Sequence, residues 1–76
     1  MLKAEFIKQV LDLSDDTFKL VMMKSCMKSN FVRREFIGVM NDLRMAFGVT
    51  FKTDEGFETQ AVYVEQDERG GLITNY

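Results

Sequence analysis

The sequence predicts an α+β fold: a three-helix unit followed by a C-terminal β-hairpin, in one compact domain over residues 1–65, with residues 66–76 a tail or a short third strand. Three observations predict it. Apolar residues recur at helical spacing as far as Phe47, the period then changes to two, and Asp54-Glu55-Gly56 supplies hairpin-turn chemistry between two alternating runs. The 76 residues leave no room for a second unit. A chain this short buries only about 60 % of its unfolded surface, so a monomer of modest stability or a homodimer is expected.

The first helix is expected over residues 2–13, where Leu2, Phe6, Ile7, Val10, Leu11 and Leu13 alternate with Lys3, Glu5, Lys8, Gln9 and Asp12. Ser14-Asp15-Asp16-Thr17 then offers short oxygen-bearing side chains to cap a second helix, with acids suited to its dipole. That helix, residues 15–29, has a wide apolar arc of Phe18, Leu20, Met22, Met23, Cys26 and Met27, which predicts a central position. Lys19 falls inside the arc and is expected to snorkel. Asn30 is a competent N-cap for a third helix, residues 31–47, stopped by Gly48. Its apolar arc of about 120° holds Val32, Phe36, Val39, Met40, Leu43, Ala46 and Phe47. Strands at 49–53 and 57–65 complete the unit; pairing Thr53 with Phe57 puts Val49, Phe51, Phe57 and Ala61 on one face.

Composition removes most catalytic chemistry. The chain has no histidine, so it has no Ser-His-Asp triad, no imidazole base and no histidine-rich metal site. One cysteine, Cys26, makes neither an internal disulfide nor a four-cysteine zinc site, and no glycine-rich phosphate loop is present. Asp15-Asp16 reads as a helix start, and Glu65-Gln66-Asp67-Glu68 lacks the frame of a calcium loop. The expectation is a protein that is not an enzyme and takes no metal or cofactor. The start has no signal-peptide stretch, and no apolar run approaches the ~18 residues of a membrane span, so a cytoplasmic protein is expected.

Charge is segregated. Residues 1–53 hold nine basic and six acidic groups, +3, whereas residues 54–76 hold one basic and six acidic groups, −5. No acid occurs between Asp16 and Glu35, a window with Lys19, Lys24, Lys28, Arg33 and Arg34. On the third helix Arg33, Arg34, Ile37, Asn41 and Arg44 share the arc beside the core face, and Met45 lies next to Ile37 in angle. Lys24, Lys28, Arg33, Arg34, Ile37, Asn41, Arg44 and Met45 are therefore the candidate contact residues, an apolar spot rimmed by positive charge. Six methionines among 76 residues suit either an adaptable surface or a gap-filled core; Met22, Met23 and Met40 are assigned to the core.

The run Arg33-Arg34-Glu35-Phe36-Ile37-Gly38-Val39-Met40-Asn41-Asp42-Leu43-Arg44-Met45-Ala46-Phe47-Gly48-Val49, continuing into a hairpin tipped by Asp-Glu-Gly, resembles the recognition helix and wing of bacterial winged helix-turn-helix regulators. The resemblance covers about a third of the chain and implies a major-groove helix with Arg33, Arg34, Ile37, Asn41 and Arg44 facing nucleic acid. The wing, however, carries Asp54, Glu55 and Glu58 against Lys52, which opposes a phosphate backbone. The leading expectation is thus a small regulatory module that binds another protein, an inhibitor or adaptor of the kind phages and mobile elements encode. Nucleic-acid binding by the third helix is the alternative.

Overall fold

The computed structural model describes residues 4–40 and 43–75. Three short helices come first: α1 (Ala4–Asp12), α2 (Asp15–Met22) and α3 (Ser25–Ser29). Four strands follow: β1 (Phe31–Val39), β2 (Met45–Thr53), β3 (Gly56–Gln66) and β4 (Leu72–Asn75). They form one antiparallel sheet in the order β1-β2-β3-β4. The helices cover one face of it. Phe6 and Val10 of α1, Phe18 and Met22 of α2, then Met23 and Met27 pack against Met45, Phe47 and Val49 of β2 and Val62 and Val64 of β3. Aromatic rings meet in tilted pairs, the core rings Phe18 and Phe47 at 5.1 Å and Phe47 with the exposed Phe36 at 5.4 Å between centroids.

The start of the chain follows its sequence signals. α1 occupies its amphipathic segment, and Ser14 caps α2 by accepting a hydrogen bond from the Thr17 N–H at 3.2 Å. The expected continuous helix over 15–29 is instead broken. Met23 and Lys24 are extended, with ψ of 147° and 154°, which lets Met22, Met23 and Met27 all enter the core while Leu20 turns outward. The side chain of Cys26 lies outside the described residues, as do Leu2, Asn41, Asp42 and Tyr76.

The three-helix unit with a hairpin, and with it the winged-helix shape, is not what the chain forms. Within residues 31–47, Phe31–Val39 and residues 45–47 are strand, not helix. The apolar spacing that predicts a helix is not the burial pattern of this segment: Val32, Phe36, Val39 and Leu43 of the expected core arc are 47 %, 39 %, 47 % and 47 % exposed. The β1–β2 ladder slips by one residue at Val32 and again at Ile37. The half-buried positions of β1 are instead Phe31, Arg34 and Gly38, none of which belongs to that arc. Phe31, Val32, Phe36, Ile37 and Val39 favour an extended chain, and Gly38 would weaken a helix by about 1 kcal/mol. Asn30 caps no third helix: it ends α3, and its carbonyl accepts from the Lys52 N–H at 2.8 Å, joining the helical layer to β2.

The hairpin is present with a different register. Asp54 and Glu55 alone connect β2 to β3, and Gly56, at φ +131°, already pairs with Thr53. Phe57 therefore lies opposite Lys52, one residue away from the expected pairing, and every β3 side chain changes face. Val62 and Val64 are buried, while Phe57 and Ala61 point away from the helices. Residues 72–75, within the expected tail or third strand, form β4, held by a turn in which the Asp67 carboxylate accepts from the Arg69 and Gly71 N–H groups at 2.9 and 2.5 Å. Met22 and Met23 are core as expected, whereas Met40 is only half-buried.

Candidate protein-binding face

Side chains alternate across a sheet, so the residues between the buried ones must face away from the helices. On β2 these are Ala46, Gly48, Thr50 and Lys52. Their β3 partners are Tyr63, Ala61, Thr59 and Phe57, and their β1 neighbours are Arg33, opposite Thr50, and Glu35, opposite Gly48. No helix or strand among the described residues covers this face. The slip at Ile37 adds that side chain to the same face. Its Cδ1 stands 3.7 Å from where a Cβ on Gly48 would be, with the Thr59 methyl group at 3.5 Å. The missing side chain at Gly48 thus seats Ile37 over the middle of the sheet.

Three large apolar groups protrude here: Ile37 is 59 % exposed, Phe57 71 % and Ile73 41 %. Charge surrounds them in both signs. Arg33 and Lys52 lie toward the hairpin end, and Glu35 sits beside Ile37. At the opposite end the Arg44 guanidinium stacks 4.7 Å from the Tyr63 ring centroid and pairs with Glu65 at 3.6 Å. Thr50 and Thr59 share a hydrogen bond at 3.0 Å between them. The result is a mixed face with an apolar centre, on which Thr50, Thr59, Arg44, Tyr63 and Glu65 are engaged with one another.

The structure separates the eight sequence candidates into four groups. Arg33, Ile37 and Arg44 share the open sheet face. Lys24 and Lys28 belong to the helical layer. Asn41 lies outside the described residues. Arg34 and Met45 are inside the molecule: Met45 is fully buried in the core, and Arg34 is a structural cation. The Arg34 Nη2 donates to the Leu13 carbonyl, its Nε lies 3.3 Å from the Asp15 carboxylate, and its guanidinium carbon sits 4.4 Å above the Phe18 ring. Only 14 % of its side chain is exposed.

Sequence reasoning missed Phe57, Ile73 and Tyr63. The expected pairing, off by one residue, put Phe57 on one face with Val49 and Phe51, and the short connection Asp54-Glu55 is the signal that places it on the other. Among the described residues, no group of three or more His, Cys, Asp or Glu side chains could hold a metal ion. A cleft of about 520 Å³ between α1 and the β3–β4 turn has an apolar floor of Phe6, Val10 and Leu72. Its one carboxylate, Asp12, forms an exposed ion pair with Lys8. No helix of the described residues is long and apolar enough to cross a membrane. No protein-family model, curated protein or solved structure matches this chain, so the geometry of the open face carries the functional reading.

Proposed function

We propose that this chain is a small non-catalytic regulatory module that binds another protein through the open face of its sheet. The observation that carries this reading is Ile37, seated on Gly48 and exposed at the centre of a face flanked by Phe57 and Ile73. Apolar groups at the centre of a polar rim are where binding energy concentrates in protein interfaces. Arg33 and Lys52 at one end call for a partner surface with acids opposite them and an apolar centre opposite Ile37. The major-groove reading is not carried forward, because the helix it required is two strands.

The test compares the wild-type chain with Ile37→Glu and with Phe57→Ser in affinity capture followed by mass spectrometry and direct titration of the recovered protein. One partner at near-stoichiometric yield, bound at least about tenfold more weakly by each variant, is expected. Equal binding by the variants would overturn the assignment. So would a wild-type dimer in sedimentation that Ile37→Glu dissociates, since the face would then belong to a second copy.

A further inference from the structure

The helical layer carries an exposed surface of its own, on the side of the molecule away from the open sheet face. Leu20 and Val21, adjacent on α2, are 72 % and 51 % exposed. Neither contributes to the core, although Phe18 and Met22 of the same helix are fully buried. Lys19, Leu20 and Lys28, with Asp16 at the rim, line a shallow cleft of about 260 Å³, and Lys24 is exposed between α2 and α3.

The charge around this aliphatic pair is mainly positive, with Asp16 the acid at the cleft rim. Residues 17–34 contain Lys19, Lys24, Lys28, Arg33 and Arg34 and no acid. Arg34 is spent on Leu13 and Asp15, and Arg33 lies on the opposite side of the sheet. Lys19 and Lys28 line the cleft with Leu20. In α1 a lysine is neutralised within its own helix, Lys8 by Asp12 at 3.3 Å; among the described residues Lys19 and Lys28 form no such pair. Lys19 instead rests its ammonium 5.7 Å over the Phe31 ring, which fixes one cationic wall of the cleft.

We propose that the α2–α3 surface docks an acidic, amphipathic segment of a partner protein, whose leucine or phenylalanine side chains cover Leu20 and Val21 while its carboxylates reach Lys19 and Lys28. Charge complementarity selects acids, and the exposed aliphatic pair selects a segment with apolar side chains. A phosphate backbone would answer the lysines and leave Leu20 and Val21 in water. An anionic bilayer calls for a denser cluster, roughly four to eight basic groups.

The experiment titrates the isotopically labelled full chain with a synthetic peptide of about 15 residues in which Asp and Glu alternate with Leu and Phe. Parallel titrations use the same peptide with its apolar residues replaced by Ser, a single-stranded oligonucleotide, and phosphatidylserine vesicles. Saturable shifts confined to residues 16–29 are expected, with affinity falling about tenfold in Leu20→Ser and in the double variant Lys19→Glu, Lys28→Glu, and unchanged in Ile37→Glu. The amide spectrum of each variant reports that it remains folded. The proposal is overturned by no shift up to about 1 mM peptide, or by equal binding of the Ser peptide. Equal or tighter binding of oligonucleotide or vesicles at the same residues overturns it too, as does self-association abolished by the lysine variants. Because Ile37→Glu leaves this surface intact, its outcome is independent of the reading for the sheet face.

Discussion

Arg34 shows how strongly the role of one side chain depends on which way the backbone turns it. On a helix its guanidinium would be displayed beside Arg33; on β1 the two residues point to opposite faces. Arg34 crosses from the sheet to the α1–α2 junction, where it meets the Leu13 carbonyl, the Asp15 carboxylate and the face of Phe18. The contacts differ in worth. Asp15 is 65 % exposed, so its ion pair contributes under about 1 kcal/mol, whereas the stem and guanidinium against Phe18 are shielded from water. We expect Arg34→Ala to lower unfolding free energy by about 2 kcal/mol, and Asp15→Ala by less than about 1 kcal/mol. Arg34→Met keeps the stem on Phe18 and should cost less than Arg34→Ala. Urea denaturation of the three variants checks the order, and an Arg34→Ala chain as stable as wild type would refute it.

At the scale of elements, the turns set what the strands can do. Between β1 and β2, the Met40 N–H donates to the Arg44 carbonyl at 2.7 Å and the Leu43 N–H to the Met40 carbonyl at 3.0 Å. Leu43 sits at φ +65°, a left-handed conformation that costs a residue with a Cβ about 1–2 kcal/mol. Leu43→Gly removes that strain, and a gain of about 1 kcal/mol, a melting point higher by about 4–8 °C, is expected by calorimetry. The β3–β4 turn depends on a side chain instead. Asp67→Ala deletes the acceptor for the Arg69 and Gly71 N–H groups, so amide exchange should speed in residues 72–75 and stay unchanged in β2. Legibility follows the same division. α1, the Ser14 cap and the presence of a hairpin at Asp54-Glu55-Gly56 were readable because each is specified by side chains close in sequence, whereas the hairpin's register was not. β1 was not, because its apolar residues Val32, Phe36 and Val39 stand at helical intervals, and the pairings that distinguish strand from helix lie with β2. The site was half readable for the same reason. Arg33 and Ile37 are exposed in either conformation, whereas Arg34, Met45 and Phe57 depend on which face the register assigns them.

Across the whole molecule, one sheet divides stability from recognition. With Cα extents of 39 × 23 × 18 Å the chain has a core layer between the helices and the sheet, and among the described residues every buried apolar side chain except Ala46 belongs to that cluster. Substitutions on the two sides of β3 should therefore behave as if they belonged to different proteins. Val64 is fully buried, and Val64→Ala removes two methyl groups from a packed layer, costing about 2 kcal/mol. A chain of this length has total stability on the order of 4–11 kcal/mol, so that one change removes a large share of it. Phe57 faces away from the helices and is 71 % exposed, so Phe57→Ser should shift stability by no more than about 0.5 kcal/mol while weakening partner binding. Chemical denaturation paired with titration of the captured partner separates the two effects. A Phe57→Ser chain that binds fully but unfolds early would mean that the open face is a structural surface, and the division of labour would fail.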